Sequence, residues 1–194
     1  MNFLAHLYLS FESEPIMIGN FIGDFVKGKA FENYDIDIQK GILLHREIDK
    51  YTDDHGIVMK SKERLRPKYH HYAPVIADVF YDHFLSKMWL DYHDQPLIEF
   101  TESFYQMAKS RKSEIPERAY LMLTYMARDN WLYNYQFIEG IRRTLTGMSK
   151  RTPFESKMEQ SSADLKEDYE AYQKEFITFF PELINHSKSF LASL

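Results

Sequence analysis

Apolar side chains recur every three or four positions along most of this chain, and alternating runs bounded by turn residues are missing. The first period is helical, and the missing period of two argues against a sheet. Phe3, His6, Leu7 and Ser10 share one face of a first helix. Pro15 stands where a second helix would begin, followed by Ile16, Phe21, Ile22, Phe25 and Val26, with Gly28 as a stop. A longer helix is expected over 36–54, a short basic one over 57–66 ended by Pro67, and a strongly periodic one over 72–92. Further helices are expected at 96–110, 116–128, 131–147 and 159–179, with Pro181 breaking into a short C-terminal helix. Residues 148–158, MSKRTPFESKM, read as a mobile connection. The expected fold class is all-α, a single domain over 1–194 with about eight to ten helices.

Composition supports long elements joined by few loops. Gly and Pro number seven each, and 44% of residues are hydrophobic, enough to bury a substantial core. There is no cysteine, so any metal must be held by His, Asp and Glu, and a reducing, cytoplasmic location is expected. The N-terminal run MNFLAHLYLSFESEP lacks a basic leader and a small-residue cleavage site, and reads as a buried helix and not a signal peptide. No apolar run reaches the about 18 residues a membrane span needs, so no membrane partner is expected. The net charge of −5 argues against bulk nucleic-acid binding. Charge is unevenly spread. Residues 60–71, KSKERLRPKYHH, carry five basic residues against one acidic, whereas residues 155–182 carry eight acidic against three basic. The first suits a specific anionic partner; alternatively, the two runs are oppositely charged solvated faces.

Four clusters could carry chemistry. They are His6 in NFLAHL, Asp24 in GNFIGDFVKG, the run GILLHREIDKYTDDH with His45, Arg46, Asp49, Asp53 and His55, and APVIADVFYDHFL with Asp78, Asp82 and His83. His45 and Asp49 are four apart on a helix and project from one face, as do Asp78 and Asp82. His83 is about 100° round from Asp82. Ionisable groups inside apolar stripes are costly to bury unless paired or bound to a cation, and several of them on separate helices invite a shared divalent ion. His and carboxylate donors favour Mn²⁺, Fe²⁺, Mg²⁺ or Zn²⁺ over softer ions. Each residue also has a plain structural reading. His6 could be a hydrogen-bonded core histidine and Asp24 an Asx turn or helix cap. His45 and Asp49 could form a surface pair with Lys50, and Asp82 and His83 could orient one another. The run DNWLYNYQF at 129–137 reads as core or as an apolar slot beside a site. Glu-x-x-His pairs, His-Glu-x-x-His, phosphate-binding glycine loops and a Gly-x-Ser-x-Gly elbow are all absent.

Taken in order, NFLAHL, GN with Asp24-Phe25, GILLHREID with Thr52-Asp53, Ala73-Pro74, Asp78-Val79, Asp82-His83-Phe84-Leu85, Trp131, Tyr135 and LTGMSKR resemble the acyl carrier protein phosphodiesterases over most of the chain. The resemblance implies an all-α protein distantly related to the HD-type metal phosphohydrolases. It implies hydrolysis of holo acyl carrier protein to apo carrier protein and 4′-phosphopantetheine, with a divalent cation, Mn²⁺ above all and Fe²⁺ or Mg²⁺ as substitutes. Carried over by motif, His6, Asp24, His45, Asp82 and His83 are the metal candidates, and Asp49 and Asp78 come next as ligands or as orienting groups. Arg46 or Lys27 would neutralise phosphoryl oxygens. The partner is then an acidic helical protein, and Lys60, Lys62, Arg64, Arg66 and Lys68 would dock it, with Arg142, Arg143, Lys150 and Arg151 as a second patch. Two departures stand out. Tyr8 occupies a place where family members can carry a second His, and Asp82 precedes His83 where HD-type relatives write His before Asp. The rival readings are an HD-like hydrolase of a nucleotide or other small phosphodiester, and a non-enzymatic helical protein that binds an acidic partner.

Overall fold

The helical period becomes eleven α-helices and no strand in a computed structural model that describes residues 1–194. In chain order these are α1 (Phe3–Tyr8), α2 (Glu14–Ile22), α3 (Ile36–Asp54), α4 (Gly56–Tyr69), α5 (Ala73–Lys87), α6 (Leu97–Ser110), α7 (Glu117–Arg128), α8 (Trp131–Asn134), α9 (Ile138–Ser149), α10 (Ser161–Glu167) and α11 (Tyr169–Ala192). No helix is long and apolar enough to cross a membrane.

Helix α5 is the hub. Eleven of its side chains are buried, from Ala73 to Ser86, so it is enclosed on nearly every side. A helix buried all round must satisfy its polar residues inside the protein. This governs Asp82 and His83, both nearly inaccessible. Around α5, 46 buried apolar residues form one core cluster.

Helices α2 and α3 cross with their backbones nearly touching. A Cβ added at Gly19 would lie 2.1 Å from the Ile38 carbonyl oxygen, and one added at Gly41 would lie 2.4 Å from that of Ile16. The two glycine Cα atoms occupy the space where side chains would otherwise hold the helices apart. Gly23, one turn after Gly19, faces His45, one turn after Gly41; a Cβ there would lie 2.2 Å from the imidazole Cγ. The small-residue seam therefore delivers His45 against α2.

The prolines behave differently from expectation. Pro67 lies inside α4, and Pro181 lies inside α11, which continues to Ala192 as one helix. Both prolines are exposed. Phe179, Phe180 and Leu183 are buried on either side of Pro181, and their packing outweighs the about 3 kcal/mol an interior proline costs. Conversely, 131–147 divides into α8 and α9, because α9 crosses the end of α8 so closely that a Cβ on Gly140 would lie 1.9 Å from the Asn134 carbonyl oxygen. The segment 159–179 divides at Asp168. The connection at 148–158 is tied back, with Ser156 and Met158 buried and the Ser149 hydroxyl donating to Glu159 at 2.7 Å.

Candidate metal centre

Three donors from two helices converge where α1, α2 and α3 meet. His6 comes from α1, and His45 and Asp49 come from α3 one turn apart; their ligand atoms lie within 4.8 Å of one another. The two imidazoles stack with centroids 4.1 Å apart and planes 18° from parallel, so they present the same edge.

Asn20 determines what that edge offers. Its amide nitrogen donates to the His6 carbonyl at 2.6 Å and to Ser10 Oγ at 3.2 Å, which turns its Oδ1 toward His6 Nδ1 at 2.8 Å. Oδ1 can only accept, so Nδ1 of His6 carries the proton and Nε2 keeps its lone pair. The Asn20 backbone carbonyl does the same to His45, taking a hydrogen bond from its Nδ1 at 2.8 Å. Both Nε2 atoms then face only acceptors. His6 Nε2 lies 3.1 Å from Asp49 Oδ1 and 3.2 Å from the Met1 carbonyl; His45 Nε2 lies 3.2 Å from Asp49 Oδ2 and 3.5 Å from Asp24 Oδ1. His45 Nε2 is buried without a hydrogen-bond partner. Lone pairs aimed at carboxylates need a proton or a cation between them. Two imidazole nitrogens and a carboxylate, with their outer nitrogens held by protein oxygens, therefore form a donor set that fits one divalent ion.

The charges point the same way. Burial and the neighbouring His45 hold His6 below the ordinary histidine value. Burial also opposes charge on His45, but Asp24 and Asp49 outweigh it and raise the ring to about 9. Asp49, though desolvated, is held well below the carboxylate range by the two histidines. Asp24 is exposed at the mouth and is held low by His45. The cluster by itself thus retains one proton on His45, in the position a cation would take.

The other sequence candidates lie around this group. Asp78 pairs with the Met1 α-amino group at 3.2 Å, and the same group lies 3.6 Å from Asp49. Asp82 accepts from the backbone N–H groups of Leu4 at 2.7 Å and Ala5 at 3.2 Å, satisfying the first turn of α1. It is fully buried, and desolvation pushes it up to about 7 despite these bonds. His83 Nδ1 donates to the Tyr135 carbonyl at 2.7 Å, and its Nε2 accepts from Tyr169 Oη at 2.9 Å. No lone pair is left over, and the structure does not bring His83 into the donor group. The Arg46 guanidinium donates to the carbonyls of Val26 at 3.0 Å and Gly28 at 2.8 Å and lies over Phe31. It fastens the segment that carries Asp24 onto α3.

The basic run is largely spent inside the chain. Lys62 is buried and donates to Asp53 at 2.6 Å. Arg64 donates to both carboxylate oxygens of Glu175, at 2.8 and 3.1 Å, and stacks on Tyr172; Lys68 pairs with Asp164 at 3.0 Å. Through Arg64 and Lys68 the basic stretch meets the acidic stretch along a seam of α4 against α10 and α11, while Lys62 is spent on α3. Only Lys60 and Arg66 of the five remain exposed without an ion pair.

Sequence reasoning missed Asn20, Gly19 and Gly41. Gly19 and Gly23 carried a readable signal, since small residues four apart mark a close helix crossing, whereas Gly41 stands alone on its helix. The bonds of Asn20 span 14 and 25 residues and carried none.

Comparison with known proteins agrees with this architecture. A family model described as Acyl carrier protein phosphodiesterase matches residues 1–183. A protein of that name from Enterobacter sp. (strain 638) is 34% identical over 190 residues, covering 97% of this chain and 98% of its own length. Another from Klebsiella pneumoniae (strain 342) is 35% identical, covering 95% of this chain and 96% of its own. One from Escherichia coli O6:H1 is 34% identical over 96% of this chain and 97% of its own. No solved structure matches. With the match running through every helix that builds the donor group, the chain belongs to the acyl carrier protein phosphodiesterase family.

Proposed function

We propose that this protein is a metal-dependent phosphodiester hydrolase that converts holo acyl carrier protein to apo carrier protein and 4′-phosphopantetheine. The convergence on Asp49 of two Nε2 atoms, each turned inward because its ring's Nδ1 is held by an Asn20 oxygen, carries the metal part of this reading. Family membership carries the substrate.

His6, His45 and Asp49 would hold the ion, with Asp24 at the open side. A carboxylate and two imidazoles suit Mn²⁺, with Fe²⁺ and Mg²⁺ as substitutes. When bound, the ion supplies Lewis acidity toward a phosphoryl oxygen and makes water acidic enough to act as nucleophile near neutral pH. The protein's own groups do the rest. Asn20 keeps both rings in the tautomer that points Nε2 inward. His45 Nε2 holds a proton against Asp24 and Asp49, and would have to give it up to serve as a ligand. Asp82 fixes the first turn of α1, and so places His6. Asp78 and the Met1 amino group hold Asp49 from behind. Lys27, exposed three residues after Asp24, supplies positive charge where the phosphodiester approaches. Hydrolysis forms a P–O bond from water and breaks the one to the carrier serine, whose oxygen leaves with a proton. In this reading Asp82 and His83 position helices and do not ligate.

Intact-mass analysis of holo carrier protein after incubation with this protein and Mn²⁺ tests it. Loss of the phosphopantetheine mass, blocked by EDTA, is expected. An unchanged mass across Mn²⁺, Fe²⁺ and Mg²⁺, with cleavage of a nucleotide diester instead, would transfer the reading to a small-molecule hydrolase.

A further inference from the structure

A cleft of about 420 Å³, separate from the donor group, lies between Asp129, Trp131 and Asn134 on one side and Arg143, Gly147 and Arg151 on the other. Resting on the proposed carrier-protein substrate, we infer that this cleft between α8 and α9 is the docking surface for an acidic helix of the carrier protein, with Arg143 and Arg151 receiving its carboxylates.

Three observations carry this. The first is available charge. Arg142 takes both oxygens of Glu139, at 2.9 and 2.7 Å, leaving Arg143 only a 3.4 Å approach to the same group. Arg151 makes no ion pair; its Nε donates to the Gly147 carbonyl at 3.1 Å. Asp129, on the rim, is matched by Arg128 at 2.7 Å. Two guanidinium groups with free donors thus flank a hollow on a protein whose net charge of −5 offers an acidic partner no general attraction.

The second is Gly147. It lies inside α9, where glycine weakens a helix, yet its φ is not positive and a Cβ there would meet nothing within 4 Å. Packing within the chain gives no reason for glycine at 147. Its bare backbone enlarges the cleft between Arg143 and Arg151, which is space for a partner's side chain. Gly140, in contrast, is explained by the close crossing of α8.

The third is position. Tyr135 follows Asn134 of the cleft wall, and its hydroxyl accepts from Asn2 Nδ2 at 3.1 Å, at the chain turn whose Met1 amino group lies against Asp49 and Asp78. One buried tyrosine thus joins the cleft wall to the residue next to Met1. A carrier helix seated on α9 would bring its prosthetic group toward the metal residues from that side. The run at 60–68, in contrast, has spent Lys62, Arg64 and Lys68 on internal acids.

Calorimetric binding of holo carrier protein in EDTA and low salt separates docking from hydrolysis. Arg143→Glu/Arg151→Glu should weaken Kd at least tenfold and flatten its salt dependence, whereas Lys60→Glu/Arg66→Glu, with the same change in charge at the other exposed pair, should shift Kd less than twofold. Gly147→Met should raise Tm and still weaken binding, a split that loss of structure does not produce. Unchanged Kd in the first variant, or equal weakening in both double variants, overturns the assignment. A parent protein that binds holo carrier protein but does not cleave it with Mn²⁺ upholds the docking surface and overturns the hydrolase reading; one that does not bind overturns the docking surface.

Discussion

Two histidine–aspartate pairs, each on one helix, are alike in composition and opposite in state. His45 with Asp49 on α3 and His83 with Asp82 on α5 each combine an imidazole and a carboxylate within one helical turn. Every bonding direction of His83 ends on a partner, and the Asp82 carboxylate closes the first turn of α1. His45, by contrast, has one nitrogen held by a carbonyl and the other turned toward carboxylates. A site needs unspent bonding capacity, and residue type does not reveal where the capacity has gone.

The sharpest way to break this comparison is to remove one histidine at a time. His45→Ala should lower Mn²⁺ affinity by more than the about 100-fold that outer contacts can carry, and abolish hydrolysis. His83→Ala should leave Mn²⁺ affinity within a few-fold in a calorimetric titration, while urea unfolding reports a loss of about 2–4 kcal/mol for two orphaned partners and a cavity. Equal losses of metal from both variants would erase the distinction.

Gly41→Ala comes next. Its Cβ would meet backbone on α2, which cannot rotate away, so thermal unfolding should show a loss of about 3 kcal/mol. Because the same crossing delivers His45, weaker metal binding should accompany it. Asn20→Ala should be smaller, about 10–100-fold in metal affinity, because the rings stay in place while the His6 tautomer is no longer imposed.

The finest test is pH. The His45 value, raised to about 9, means its charged form stabilises the metal-free fold fully below about pH 6.5 and that this contribution fades as pH rises through about 9. His83 is shifted the opposite way, lowered by burial, so its cost appears as pH falls below about 6.5. Asp82, raised to about 7, lowers stability as pH climbs from about 4 to its folded value, and then adds no further slope. Urea titrations of the metal-free protein between pH 7 and 9 should therefore show a decline that His45→Ala reduces and His83→Ala leaves in place; the remainder belongs to the Met1 amino group, which, against its own desolvation, Asp78 and Asp49 hold above its ordinary value. Over the same window Mn²⁺ should bind up to about tenfold more tightly per pH unit, since it displaces one proton.

Much of the architecture was legible in local pattern. The period of apolar residues determined that the chain is helical, because a helix brings residues three and four apart onto one face whatever surrounds it. The spacing of His45 and Asp49 put them together for the same reason. Pro181 misled, because the penalty of an interior proline is local while the packing of Phe179, Phe180 and Leu183 that overrides it is not. The excess charge at 60–71 and at 155–182 was legible too, but whether each run faced solvent or the other depended on how α4 lies against α10 and α11.

What only the tertiary structure decided is which ionisable residues remain unsatisfied. His6 joins His45 through a glycine seam between α2 and α3 and through an asparagine 14 residues away. His83 is withdrawn by a carbonyl 52 residues away and a hydroxyl 86 residues away. Backbone hydrogen bonding and helical period act over a few residues, so sequence alone determined the helices and the one-turn pairs. The direction of a lone pair is set by atoms from distant parts of the chain, so folding had to choose among the candidates.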